Sequence, residues 1–577
     1  MKRDLSTPAE ATPSVSTPAF AGEKAAFLGC KTEEETVDGH TLVAESLKAL
    51  GVTHVYCVAG TPIRETFSHC ARVGIRPVGV RNQQAGVLMA TAQNYVAGRL
   101  AAVSLLSAGP AVTNAATGIL VAKDNCWPMV VLGGRRPLSM RGMGSFQELD
   151  GVRIFQSITK WSALVESTAS IPGYLSRAFA IASSGRPGPV YLDLPEDILT
   201  GVVGGYALPR FQVCRDPSPD DDAVARAAKI LHQARRPSMI IGKGIRWSEP
   251  YAELAHLAGD LGIPFITSPM GHGYLPDDHP LCCNAARGLL QSKSDVILLV
   301  GARLDWTFRF GAELSREAKI IQIDIHEAEI GVNVLPAVGI VGDAKSVLSR
   351  LVDRLALDSG KSHRERLSGW HATLKEAKEK KLRRWNSLMT DDSLPMSHYR
   401  MLKEVRDFLP RDAVCILDGN VSMAAAQQVL PSYLPASRLT AGSNGCMGVG
   451  IPFGIGAKLC RPDRLVTVIC GDTAFAFNAM DMETAVRHAI PIIVIVVNNE
   501  GIYGALSDKV LFPSSRERVT MFQPGIPYEA IAGAFGGHAE SVERPEELRP
   551  ALERAAQSGK AACINVKVDP NAPYPRD

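Results

Sequence analysis

The stretch ICGDTAFAFNAMD (469–481) and the run that follows it, PIIVIVVNNEG (491–501), decide the fold. Each contains an apolar run that stops abruptly at small, oxygen-bearing residues: Gly471-Asp472-Thr473 in the first, Asn498-Asn499-Glu500-Gly501 in the second. One helix-length segment separates them. Continuous apolar runs of this length, bounded by turn residues, read as strands buried on both faces of a parallel sheet. In such a sheet ligands bind beyond the carboxyl ends of the strands, and Asp472 and Asn499 both fall there. Their side-chain oxygens, with a backbone carbonyl, suit a small hard cation such as Mg2+. The helix that opens after Gly471-Asp472 turns its N-terminus to the same place, which favours an anion. A diphosphate held through Mg2+ is the inference. Taken singly, each stretch also reads as a plain turn, because Gly-Asp and Asn-Asn-x-Gly are turn sequences.

Outward from this pair the same alternation of strand and helix fills the chain. VTHVYCVAG, AAVSLLSA, PMVVLGG and PVYLDLP form a first block, 36–205. PSMIIGKG, PFITSP, SDVILLVGARLD and AKIIQIDI form a second, 215–355, after a linker-like stretch at 204–222. A Lys/Arg-rich helical segment at 361–386, read as a solvated face, precedes the third, 390–570. The fold class is therefore α/β: three α/β domains, each with a parallel sheet. No three-fold internal similarity is visible in the sequence.

The 577 residues are 46% hydrophobic and 21% charged, with a net charge of +3. This fits a globular chain of several domains. No basic stripe with interleaved aromatics marks a nucleic-acid partner, and no apolar run reaches membrane-spanning length. The 12 Cys have no C-x-x-C or metal-ligand spacing, which suits a reduced, cytoplasmic setting. Residues 1–35 are rich in Ser, Thr, Pro and Ala and lack the apolar core of a signal peptide; they read as a disordered tail. A targeting peptide is the other reading.

Gly471-Asp472-Thr473…Asn498-Asn499 resembles the diphosphate motif of thiamine-diphosphate enzymes, with Thr473 where Gly or Ser is usual. The resemblance extends over 36–570 to the acetolactate-synthase-type architecture of pyrimidine-binding, central and diphosphate-binding domains. Within it the chain is most similar to the 2-hydroxyacyl-CoA lyase and oxalyl-CoA decarboxylase branch. The segments NCWPMVVLGG (125–134), FQELD (146–150), SGRPGPVYLDLPEDIL (184–199), GARLDWTFRFG (301–311) and NNEGIYG (498–504) carry it. The resemblance implies thiamine diphosphate and Mg2+ as cofactors, with Asp472, Asn499 and the Gly501 carbonyl on the metal. It implies that Met447 bends the cofactor, that Tyr503 lies near the reacting carbon, and that Asn114 and Gln147 line the facing subunit. The site would lie between two chains, so a homodimer is the minimum unit and a homotetramer is common.

Two residues depart from the family pattern. In RNQQ (81–84) Gln83 stands where the family has a Glu that pairs with the aminopyrimidine nitrogen. An amide can hydrogen-bond that nitrogen but cannot ionise. Three readings remain open: an enzyme that works without the carboxylate, an engineered Glu→Gln variant, and a non-catalytic cofactor-binding subunit. Glu500, after the paired Asn, is either a proton acceptor for a substrate hydroxyl or a solvated side chain.

In the central block GKG (242–244), Arg303 and Asp324 match elements of a nucleotide site occupied by ADP in some members of the branch. Gly-rich turns accept phosphate, and Lys243 and Arg303 supply charge. GKG also reads as a turn and Asp324 as a strand-end cap. His488 and His272 read as structural. Near the C-terminus only Arg576 offers the charge with which CoA-acting members close their channel. Two functions follow: cleavage or formation of a 2-hydroxyacyl-CoA, with an oxalyl-CoA-like decarboxylation as its variant, or decarboxylative carboligation of 2-oxo acids.

Overall fold

Met129–Arg135, Val296–Val300 and Ile493–Asn498 are buried at every position, as strands must be when helices cover both faces of a sheet. The computed structural model describes residues 28–30, 36–210, 217–355, 364–502 and 519–572. They form three parallel α/β sheets of six, five and six strands. In chain order within each sheet, the first and third six-stranded sheets share one arrangement: second, first, third, fourth, sixth, fifth. The first and last domains therefore repeat a topology that their sequences do not reveal.

The order reverses between the first and third strands of each sheet, which opens a crevice at their carboxyl ends. In the last sheet these strands are Val414–Asp418 and Val466–Gly471, paired Asp418 to Cys470. Ile493–Asn498 lies on the other side of Val466–Gly471, with Gly471 opposite Val497. Asp418, Asp472 and Asn499 thus emerge at one edge of the sheet.

The first and last domains share a continuous apolar core. The helix Gly450–Cys460 lies on the helix Gln83–Ala97 so closely that a Cβ at Gly456 would sit 2.2 Å from the Met89 carbonyl oxygen. Only a glycine permits that approach.

Leu28–Cys30 forms a strand that pairs antiparallel with Ala207–Leu208. This corrects the reading of 1–35 as a uniformly disordered tail; the remainder of 1–35 lies outside the described residues. The Lys/Arg-rich segment is a helix, Ser368–Met389, anchored by buried Trp370, Leu374 and Met389. Among the described residues no helix is long and apolar enough to cross a membrane.

His398, at the start of the helix His398–Phe408, is buried, and burial pushes its imidazole down to about 4. Its folded value lies below the unfolded one, near 6.5. The stability it contributes is complete above pH 6.5 and is lost as pH falls toward 4. Urea midpoints are expected to fall over that window, and His398→Gln to flatten the fall.

Candidate active site at the carboxyl edge of the last sheet

Asp472 opens the helix Asp472–Asn478 directly from its strand and is 1% exposed. One carboxylate oxygen accepts from the Thr473 N–H at 2.6 Å, the other from the Gly501 N–H at 3.0 Å. The Thr473 hydroxyl adds a contact at 3.3 Å. Among the described residues Asp472 has no ion-pair partner, and burial raises its carboxyl to about 6. A buried carboxylate with no cation beside it suits a metal ion. Among the described residues the buried Asn498 side-chain N–H2 has no partner, as a donor waiting for an anionic group would have none. Asn499 is buried beside it.

Glu500 takes φ 60°, an uncommon conformation outside glycine. Its N–H donates to Asn498 Oδ1 at 3.1 Å and its carboxylate accepts from the Gly525 N–H at 3.1 Å. Gly501 bridges antiparallel to Met521, and a Cβ there would lie 2.3 Å from the Thr520 oxygen. No group of three His, Cys, Asp or Glu is placed to hold a metal among the described residues. A cation here would rest on one carboxylate, one amide and one carbonyl. Oxygen donors of these types are chemically compatible with a Mg2+-bound diphosphate. Tyr503 lies outside the described residues.

Met447 is half-buried in the turn Gly445–Gly450 that leads into the helix Gly450–Cys460. The Asn478 side chain donates to the Gly448 carbonyl at 2.7 Å, which ties this turn to the end of the Asp472 helix. Asp418, which sequence reasoning passed over, sits beneath the turn. The sequence did carry a signal: ILDGN repeats the pattern of an apolar run ending in Asp and Gly.

Gln83 and Asn114 form a second pair, on the first domain, and Gln147 packs against Gly109 in the same domain. Asn114 Nδ2 donates to Gln83 Oε1 at 3.1 Å. Gln147 takes φ 60°, with its Cβ 2.7 Å from where a Cβ of Gly109 would be. Phe146 and Met143 beside it are 73% and 75% exposed. The Arg81 N–H donates to Asp481 Oδ1 at 3.1 Å, which ties the segment before Gln83 to the 3-10 turn that follows the helix Asp472–Asn478.

Lys243 and Arg303 meet at one cavity of about 40 Å3. Lys243 Nζ donates to Asn125 Oδ1, and burial, with Arg303 nearby, lowers its ammonium to about 7. Arg303 donates to the Asp124 carbonyl at 2.6 Å. Asp324 does not line this cavity; Arg186 lies 3.9 Å from it and also pairs with Glu329. Ligand pockets start at about 300 Å3, so this cavity gives an ADP site no support. His272 pairs with Asp277 at 2.7 Å inside the protein.

A cleft of about 1900 Å3 runs between the central domain, the helix Ser368–Met389 and the last domain. Met447, Gly419 and Asn420 form part of its wall, as do Lys378, Lys381 and Arg384. Seven lining side chains are Lys or Arg against two carboxylates. One side of the charged helix therefore faces this cleft, and its charged positions remain largely solvated.

Comparison with known proteins agrees with this geometry. Residues 37–154 match the N-terminal TPP binding domain of thiamine pyrophosphate enzymes, 224–351 the central domain, and 418–566 the C-terminal TPP binding domain. The chain is 36% identical to 2-hydroxyacyl-CoA lyase 1 of Mus musculus, over 94% of this chain and 96% of that protein. It is 32% identical to a probable acetolactate synthase of Mycobacterium bovis, over 94% and 98%. Against oxalyl-CoA decarboxylase of Escherichia coli the identity is 30%, over 93% and 96%. Asp472, the paired Asn498-Asn499 and the three matched domains place this chain in the thiamine pyrophosphate enzyme family.

Proposed function

We propose that the chain is a thiamine-diphosphate- and Mg2+-dependent lyase or carboligase that cleaves or forms a 2-hydroxyacyl-CoA. The cationic cleft that reaches Met447 is the observation that carries this reading. A CoA ester is long and polyanionic, and a wall with seven cations and two carboxylates suits it. Similarity to 2-hydroxyacyl-CoA lyase along nearly the whole chain supports the same choice.

In this reading Asp472, Asn499 and the Gly501 carbonyl hold Mg2+, which takes oxygen ligands. Gly471 and Thr473 frame the diphosphate, and Met447 shapes the cofactor. Gln83, Asn114 and Gln147 face it from a second copy, which makes a homodimer the smallest active unit and leaves room for a homotetramer. Exposed Met143 and Phe146 then become walls that exclude water. When bound, the cofactor supplies an electron sink at the reacting carbon. Glu500 accepts the proton of the substrate hydroxyl at a carboxylate oxygen, held in orientation by the Gly525 N–H. Tyr503 enters this reading by resemblance alone, and a cytoplasmic setting by the cysteine pattern.

A second reading, decarboxylative carboligation of 2-oxo acids, draws on the 32% identity to the probable acetolactate synthase. Product mass spectrometry separates them. The protein, with thiamine diphosphate and Mg2+, is offered a pool of 2-hydroxyacyl-CoAs and, separately, 2-oxo acids with aldehydes. Formyl-CoA from the first pool is the expected product. Acyloins or CO2 from the second pool alone would replace the lyase reading with the carboligase one.

A further inference from the structure

Asp418 ends the strand Val414–Asp418 at the crevice of the last sheet and is 2% exposed. One oxygen accepts from the Gly419 N–H and the other from the Gly450 N–H, both at 2.7 Å. The Gly448 N–H also donates to this carboxylate. No Lys, Arg or His pairs with it among the described residues. Its charge is therefore met by backbone N–H groups, two of them, Gly448 and Gly450, from the turn that carries Met447.

The turn is shaped for this contact. Gly445 and Gly448 take φ 67° and 86°, where a side chain would be strained. A Cβ at Gly450 would lie 3.1 Å from Asp418 Oδ2, and one at Gly448 would lie 2.5 Å from the Phe477 Cβ. Gly450 is the first residue of the helix Gly450–Cys460, so Asp418 caps that helix from a neighbouring strand rather than from the preceding residue. From the other side, Asn478 grips the Gly448 carbonyl. Gly448, the residue after Met447, is thus held twice, by Asp418 at its N–H and by Asn478 at its carbonyl.

We propose that Asp418 is a positioning residue which, through Gly448 and Gly450, fixes the direction in which Met447 projects into the cleft. This rests on the reading of Met447 as the residue that shapes the cofactor. Asp418→Asn keeps the size but leaves one acceptor oxygen, and its N–H2 meets the glycine donors head-on.

The first readout is amide hydrogen exchange of the apoprotein. Asp418→Asn is expected to speed exchange in 445–450, with the helix Gln83–Ala97 unchanged. In the loaded enzyme, kcat should fall about 100-fold, the scale of a small misplacement, with the affinity for Mg2+ and thiamine diphosphate nearly unchanged. That loss should disappear in a Met447→Ala background, because both changes remove the same directed side chain. Should Asp418→Asn fail to fold, Asn478→Ala releases the turn from the carbonyl side and is read the same way. Unchanged exchange in 445–450 would overturn the proposal, as would losses that add fully to those of Met447→Ala. A normal kcat in Met447→Ala alone sinks instead the Met447 reading on which the proposal rests.

Discussion

Asp472→Ala is expected to abolish Mg2+-dependent binding of thiamine diphosphate while the protein stays folded. The carboxylate is the one anionic side chain at the motif that is both buried and without a cationic partner among the described residues. Its oxygens also hold the N–H groups of Thr473 and Gly501, so both strand ends lose their shared acceptor. Outer-shell partners of a metal ligand are worth about 10–100-fold; a ligand should be worth at least the upper end of that range. Fluorescence titration with thiamine diphosphate, with and without Mg2+, measures it. Retained, Mg2+-dependent binding would remove the metal role from Asp472. The thermal midpoint of the apoprotein should change little, because a buried carboxylate whose pKa stands near 6 is itself a cost to the fold at pH 7.

Gln83→Glu is expected to raise kcat by about 100-fold, the lower end of what general acid–base help supplies. The change is isosteric. Asn114 Nδ2 already donates to the oxygen that a carboxylate would keep, and a charged acceptor strengthens that bond. The helix Gln83–Ala97 stays capped by Asn82, whose side chain accepts from the Gln84 N–H. Steady-state kinetics on the substrate found by mass spectrometry decide the matter. A lower kcat would mean that the site is built around the amide. No turnover with either residue, across both substrate pools and with the cofactor bound, would favour a binding role.

The place of Asp472, Asn499 and Gly501 at the strand ends was legible in the sequence because local rules suffice for it. Buried parallel strands are apolar throughout, and their ends need turn residues, so the motif stands out against its neighbours. The same logic marks ILDGN, yet Asp418 acquires its meaning only when Gly448 and Gly450, thirty residues on, fold over it. Gln83, Asn114 and Gln147 came from family resemblance; the side-chain bond between Gln83 and Asn114 and the approach of Gln147 to Gly109 are tertiary contacts that spacing does not encode.

The central domain shows the opposite case. GKG, Arg303 and Asp324 match a nucleotide site one by one, but the tertiary structure turns Lys243 to Asn125 and leaves Asp324 with Arg186. The charged helix Ser368–Met389 likewise reads as solvated from its composition, and packing against central and last domains turns one of its sides to the cleft.

By itself the sequence determined the α/β class, the three sheets and the metal-type motif, because each depends on residues close in the chain. The tertiary structure alone decided which charges share a cavity and that Gly448 and Gly450, beside Met447, meet the Asp418 carboxylate. Those outcomes depend on the packing of helices and strand ends distant in sequence, and pattern and propensity are blind to it.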